Sequence, residues 1–217
     1  MNEAIKEAIE ILKAGGIILY PTDTIWGIGC DATNAEAVEK VYKIKKRADS
    51  KSLIILVSDM DMICHYVDKI PEMAVDMAEI TSNPLTIIYP KGINLAPNVI
   101  AEDGSVGIRI PYYNKPEDDE DVSYGNAKSV ANRSRSFKNN TLYEPFCTRL
   151  IRKYRKPIVS TSANISGEAS ALKFSEISEE ILKQVDWVAP KDLESKSSHK
   201  SSSIVKIDLD GSVKVIR

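Results

Sequence analysis

Histidine and cysteine are scarce in this chain, and the few present are poorly placed for chemistry. Only His65 and His199 occur in 217 residues. The first falls in an expected helix and the second in a Ser/Lys-rich segment, so a Ser-His-Asp or Cys-His relay would have to use an unpromising position. Cys30, Cys64 and Cys147 are odd in number, far apart and in no CxxC spacing. That argues against a disulfide framework or a thiolate metal centre and favours a reducing, cytoplasmic setting. No GxxxxGK[ST] phosphate loop occurs, and no GxGxxG follows a strand. No apolar run approaches the length of a membrane span, and the first residues carry charges rather than an apolar stretch, so neither export nor an anchor is expected. The net charge of −2 argues against a surface coated for nucleic acid, while leaving a local basic patch open.

What is present is an ordinary globular composition, 43% hydrophobic and 28% charged, enough for a core without staples. Ile5, Ala8, Ile9 and Leu12 recur at helical spacing, and the apolar run 17–20 follows Gly15-Gly16 as a buried strand. Thr33-Asn-Ala-Glu36 has a capping-box pattern and predicts a helix to about Arg47. Residues 53–57 predict a strand, and Ser58-Asp59 predicts a helix to about Val67 with Met60, Ile63, Cys64 and Val67 inward. A helix is expected from Pro71 to about Ile80, then strands at 85–89 and 105–110. Helical spacing resumes over 144–154 and 178–185, with strands at 157–160 and 186–189. A hairpin over 203–208 and 212–216 turns at Asp210-Gly211. Between them, about 113–143 is acidic and then basic, with few apolar residues. It predicts a polar, mobile excursion rather than a second domain. The alternation of helices and strands predicts an α/β fold.

Chemistry concentrates at strand ends. Tyr20-Pro-Thr-Asp-Thr-Ile-Trp-Gly-Ile-Gly-Cys-Asp31 puts Thr22, Asp23 and Thr24 at a strand tip, with Gly27 and Gly29 allowing close approach of a ligand or of another backbone segment. The same residues also make an ordinary turn whose hydroxyls cap backbone groups. Lys45 continues the apolar stripe of Val38, Val41 and Tyr42, so it points inward while Lys46 turns away; alternatively these cations simply complement a helix C-terminus. Alternation in the 105–110 strand sets Ser105, Gly107 and Arg109 on one face, where Arg109 meets either solvent or an anion. A second hydroxyl- and amide-rich loop, Thr161-Ser-Ala-Asn-Ile-Ser-Gly167, follows the 157–160 strand, and Ser170 extends it. Together with Arg47, Lys51 and Arg217, these groups suit binding of polyanions and stabilisation of developing negative charge, without an evident strong base. They fit nucleotide chemistry in which the substrate brings its own nucleophile.

The blocks Tyr20-Pro-Thr-Asp-Thr24, Gly27-Ile-Gly29, Lys45-Lys-Arg47, Val106-Gly-Ile-Arg-Ile-Pro111, Ser160-Thr-Ser-Ala-Asn-Ile-Ser-Gly167, Ser202-Ser-Ile-Val205 and Val215-Ile-Arg217 resemble, in order, those of the YrdC-like family of threonylcarbamoyl-AMP synthases. The polar insertion at about 113–143 lies outside the matching blocks and is longer than the family pattern leads one to expect. The resemblance implies one α/β domain over 1–217, with a twisted mixed β-sheet flanked by helices around a positively charged cleft. It implies a nucleotidyltransferase that makes L-threonylcarbamoyladenylate and pyrophosphate from L-threonine, bicarbonate and ATP, with Mg2+ accompanying ATP and no metal ligands from the protein. The product would pass to threonylcarbamoyl-transferase machinery for t6A modification of tRNA. By the same resemblance Thr24, Arg109, Ser160 and Ser203 would hold L-threonine, and Arg47, Lys51, Ser105, Ser162, Ser170 and Arg217 would contact ATP. Lys45, Arg47, Ser162 and Asn164 would form the catalytic KxR and SxN pairs. Departures from the family pattern are Trp26 for a tyrosine, Lys51 for an asparagine and Asn83-Pro84 for Gly-Pro. A non-catalytic module for double-stranded RNA or tRNA is the competing expectation, weakened by few aromatics for base stacking. A carbamoyl-adenylate enzyme of hydrogenase maturation is a third, weakened because the acylphosphatase and zinc-finger regions of those proteins are missing here.

Overall fold

Helix α1 (Asn2–Lys13) buries Ile5, Ala8 and Leu12, as their spacing requires, and stops where Gly15 takes a left-handed conformation at φ 74°. The structure is a computed structural model and describes residues 1–46, 53–81, 83–111, 144–194 and 201–217. Strand β1 (Ile18–Pro21) is buried along its whole length and turns back through residues 22–25 into β2 (Trp26–Gly29), with Tyr20 opposite Gly27. Then come α2 (Ala35–Lys45), β3 (Ile54–Leu56), α3 (Met60–Ile63), α4 (Glu72–Ile80), β4 (Leu85–Tyr89) and β5 (Val106–Arg109). The chain ends with α5 (Phe146–Tyr154), β6 (Ile158–Ser162), α6 (Glu179–Leu182), β7 (Trp187–Val188), β8 (Ser203–Ile207) and β9 (Val213–Val215).

The strands form one sheet in the order β7-β1-β2-β6-β3-β5-β4-β8-β9. Pairs β1·β7, β3·β5 and β4·β8 are parallel and the other five antiparallel, so the sheet is mixed, as expected. Its central strands are buried on both faces, with Ile18, Leu19, Ile28, Ile55, Leu56, Ile108 and Val159 in one continuous core. Gly29 marks the tightest packing: a Cβ there would run into the Val159 carbonyl and the Tyr20 ring.

Several boundaries differ from the sequence expectation for identifiable reasons. The cap of α2 is Asn34, whose Oδ1 accepts the Ala37 N–H at 3.1 Å, because the Thr33 hydroxyl instead donates to Asp31 at 2.7 Å. Helix α3 has the expected Asp59 cap but lasts one turn. The chain is then drawn into a bridge between Val67 and Gly92, which leaves Cys64 and His65 exposed rather than inward or helical. Helix α6 is likewise cut short, because Asp186 accepts the Ile17 N–H at 2.7 Å and aligns β7 beside β1. Arg47, Lys51, the whole 113–143 excursion and most of the Ser/Lys-rich segment lie outside the described residues.

Candidate active site

The end of β1 determines the first wall. Thr22 Oγ1 donates to the Ile25 carbonyl at 2.7 Å, lies 2.9 Å from Thr24 Oγ1, and accepts the Thr24 and Ile25 N–H groups at 3.1 and 3.2 Å. That local ring makes 22–25 a closed hydroxyl turn rather than an open loop. It aims Asp23 at Arg109 on β5; the two form an ion pair with side chains only 2% and 3% exposed. Arg109 Nη2 also points at Thr24 Oγ1, 3.4 Å away, and its buried Nε has no hydrogen-bond partner. Arg109 therefore lies neither on an exposed sheet face nor against a bare apolar wall. It is fixed by Asp23 with the Nε/Nη2 edge of its fork lightly held.

Strand β6 supplies the second wall, because its antiparallel pairing with β2 places Ser162 beside Gly27 and Thr161 beside Ile28. Behind Ser162, Lys45 of α2 is 2% exposed, as its place on the apolar stripe predicts. Its ammonium donates to the Ser162 carbonyl at 2.5 Å and to Asn164 Oδ1 at 2.9 Å. The Ser162 hydroxyl donates to the same Asn164 oxygen, and Asn164 Nδ2 donates to the Glu168 carbonyl at 2.7 Å. Lys46 turns outward to Glu180 at 2.7 Å. Among the residues carried over from the resemblance, Lys45, Ser162 and Asn164 thus form one hydrogen-bonded network, buried at Lys45 and Asn164 and open to the cavity at Ser162.

The two walls and the chain's last strands enclose a cavity of about 240 Å³, lined by Thr22, Thr24, Gly27, Arg109, Ser160, Ser162, Ser170, Ser202 and Arg217 among others. Trp26 forms part of it from a buried position. Its indole N–H donates to Glu194 at 2.9 Å, and its ring meets Phe174 edge-on at 5.0 Å. Arg217 Nη2 donates to the Ser202 carbonyl at 3.0 Å. Beneath the cavity, burial pushes the Tyr20 phenol well above its ordinary range, with a hydrogen bond from Ser160 opposing the shift. Burial likewise raises the Cys147 thiol to about 12, so it stays protonated at neutral pH. No side chain in this set is poised as a strong general base.

Two expected contacts are not made. Ser203 faces solvent, whereas Ser202, one residue earlier, lines the cavity and bonds Thr86 at 2.8 Å; strand alternation permits only one of the pair to point inward. Ser105 sits at the opposite end of β5 from Arg109. Its hydroxyl donates to Asp103 at 2.5 Å instead of reaching the cavity. Conversely, Thr161, Ser201 and Ser202 line the site and Asp23 orients Arg109, none of which the sequence reading assigned. Strand register would have given the first three, and the isolated charge of Arg109 called for a partner.

The family model Sua5_yciO_yrdC, described as "Telomere recombination", matches residues 10–116 and 140–217 and leaves 117–139 unmatched. The threonylcarbamoyl-AMP synthase of Pseudoalteromonas translucida is 27% identical over 215 residues, 98% of this chain and 97% of that one. A Methanocaldococcus jannaschii protein provisionally carrying the same name is 34% identical over 216 residues, 96% and 84% of the two chains. Among solved structures, P. abyssi Sua5 complexed with L-threonine superposes with a TM-score of 0.74 at 21% identity, over 98% of this chain but about half, 53%, of that one. E. coli YciO gives 0.73 at 21% identity over 100% of this chain and 89% of that one. These two share the mixed-sheet fold described above. The chain belongs to the Sua5/YciO/YrdC family.

Proposed function

We propose that this protein is an L-threonylcarbamoyladenylate synthase, a nucleotidyltransferase that joins L-threonine, bicarbonate and ATP and releases pyrophosphate. The observation that carries the reading is the convergence on one cavity of the Thr22–Thr24 turn with Arg109, of Ser160 and Ser162 backed by Lys45 and Asn164, and of Arg217. The names of its curated relatives support it. Arg109 offers its Nε/Nη2 edge to the threonine carboxylate, with Thr24 and Ser160 beside it. Ser162, Ser170 and Arg217, with Arg47 and Lys51 from the undescribed segment, are the candidates for the nucleotide.

The reaction needs no protein nucleophile. Bicarbonate gives CO2 and hydroxide. The threonine amine adds to the CO2 and its proton joins the hydroxide as water, leaving a carbamate. One carbamate oxygen bonds to the α-phosphorus of ATP as the bond from that phosphorus to the oxygen bridging to the β-phosphate breaks. The electron pair leaves with pyrophosphate. Lys45 holds the Ser162 carbonyl and the Asn164 side chain in place, so the hydroxyl wall is set before substrates arrive. Among the described residues the lining offers hydroxyls, backbone, apolar side chains and guanidinium, and the neighbouring carboxylates Asp23 and Glu194 are engaged by Arg109 and by the Trp26 indole. That donor set does not fit a cation held by the protein; Mg2+ belongs with the triphosphate as part of the substrate. A cytoplasmic enzyme handing its adenylate to a transferase acting on tRNA completes the proposal. No described helix is long and apolar enough to cross a membrane.

The test is incubation with labelled bicarbonate, L-threonine and ATP-Mg2+. Labelled adenylate and stoichiometric pyrophosphate are expected; the absence of both overturns the assignment.

A further inference from the structure

Thr86 is a hydroxyl inside an apolar strand. It stands on β4 between Leu85 and Ile87, opposite Ile204 of β8, with none of its surface exposed. Valine has the same shape and brings no polar atom to satisfy, so packing and strand preference alone call for valine here. A buried hydroxyl is tolerated where it finds a partner. The Thr86 methyl faces β5, 3.7 Å from where a Cβ on Gly107 would stand, which puts Thr86 on the sheet face that alternation also gives to Arg109. Its hydroxyl meets Ser202 Oγ at 2.8 Å, the one hydrogen bond of either hydroxyl among the described residues.

Ser202 is where the end of the chain closes the cavity. It precedes β8, is 5% exposed, and lines the cavity beside Ser201, Ile204 and Arg217. Its carbonyl accepts Arg217 Nη2 at 3.0 Å. The backbone of Arg217 is tied separately to Ile204: its N–H donates to the Ile204 carbonyl at 3.2 Å, and its carbonyl accepts the Ile204 N–H at 2.9 Å. Those backbone bonds fix where the Arg217 main chain lies, but a long side chain keeps many rotamers beyond it. The Ser202 carbonyl selects among them, and the Thr86 hydroxyl is the side-chain contact that ties Ser202 to the sheet. Thr86 itself does not line the cavity.

We infer that Thr86 is a positioning residue: by holding Ser202 from within the sheet it sets the Ser202 carbonyl and, through it, the Arg217 guanidinium that borders the cavity. A guanidinium held in advance loses less freedom when it meets a phosphate. This rests on the nucleotide role proposed above for Arg217.

The experiment measures calorimetric binding of ATP-Mg2+ and of L-threonine, together with adenylate formation, in the wild type, Thr86→Val, Thr86→Ser, Arg217→Ala and the Thr86→Val/Arg217→Ala double variant. Thr86→Val keeps the shape and removes the hydroxyl; ATP affinity should fall by about three- to tenfold, the worth of one hydrogen bond, with threonine binding unmoved. Thr86→Ser restores the hydroxyl and should recover most of the loss. Once Arg217→Ala has removed the guanidinium, adding Thr86→Val should cost ATP nothing more. A hydroxyl with only a structural role would change the Tm and leave these affinities alone. Ser202→Ala breaks the same contact from the cavity side and decides if Thr86→Val fails to fold: its cost for ATP should also vanish in the Arg217→Ala background. Unchanged ATP affinity in Thr86→Val, an equal loss for threonine, or additivity with Arg217→Ala overturns the inference. ATP affinities that behave as stated, with no adenylate formed by wild type, would uphold the role of Thr86 and sink the synthase reading. Adenylate formed by wild type, with ATP affinity untouched in Thr86→Val, would do the reverse.

Discussion

Replacing Asp23 by asparagine keeps the shape of the side chain and removes its charge, leaving the Arg109 guanidinium buried. Removing one partner of a buried ion pair typically costs about 3–5 kcal/mol, because the survivor is left uncompensated in a poorly hydrated place. With side chains 2% and 3% exposed the pair qualifies, but Arg109 also faces a cavity that water can enter, so the lower end, about 3 kcal/mol, is expected. In a chain of this size that corresponds to a fall in Tm of roughly 6–12 °C. Arg109→Met should cost a similar amount, and the double variant much less than the two singles together, since no unpaired charge then remains. Urea titrations monitored by circular dichroism would give the midpoints, with an unchanged slope required for the comparison. The reasoning also demands a kinetic signature: Asp23 fixes the fork that faces threonine, so Asp23→Asn should raise KM for threonine while leaving KM for ATP unmoved. A loss below about 1 kcal/mol, or strict additivity in the double variant, would refute the account of the pair as buried and coupled.

Lys45→Met removes the donor that organises Ser162 and Asn164, and turnover should fall by about 10²–10³-fold with an unchanged far-ultraviolet spectrum; a wild-type rate would return Lys45 to a helix-end role. Burial alone would raise the carboxyl of Asp31, but hydrogen bonds from Lys156, Tyr154 and Thr33 together hold it below its ordinary value. A depressed carboxyl contributes stability above the unfolded value of about 3.9 and loses it as pH falls through the folded one. The gap in Tm between wild type and Asp31→Asn should therefore be full at pH 6 and close below about pH 4; thermal scans across that range check it, and a gap that widens in acid contradicts it. Glu194 accepts both the Trp26 indole N–H and the Phe174 N–H, at 2.9 and 3.3 Å. In a Trp187→Phe background, Glu194→Ala should shift Trp26 emission to longer wavelength; unchanged emission would show that the clamp is not maintained in solution.

How much of this was legible beforehand depended on whether the determining contact was local or distant in sequence. Lys45 was placed inward from the stripe of Val38, Val41 and Tyr42 alone, because helix period is a local property, and the buried network on its ammonium bears that out. The terminal hairpin followed from Asp210-Gly211 for the same reason. Ser202 and Ser203 are chemically identical neighbours, and only the register of β8 against β4, Leu85 opposite Ser203, decides which one faces the cavity. Cap and turn chemistry was local yet ambiguous: Thr33 and Ser105 each had an aspartate two residues earlier, and each bonded to it rather than taking the cap or the contact expected. For Arg109 the sequence left two possibilities, solvent or an anion, and the partner proved to be Asp23, 86 positions away in the β1–β2 turn, although β2, β6 and β3 lie between β1 and β5 in the sheet. That separation bears on function. Because Asp23 belongs to the same turn as Thr22 and Thr24, any change that disorders the turn also releases the guanidinium, so breaking the Thr22 hydrogen bonds should raise KM for threonine just as Asp23→Asn does.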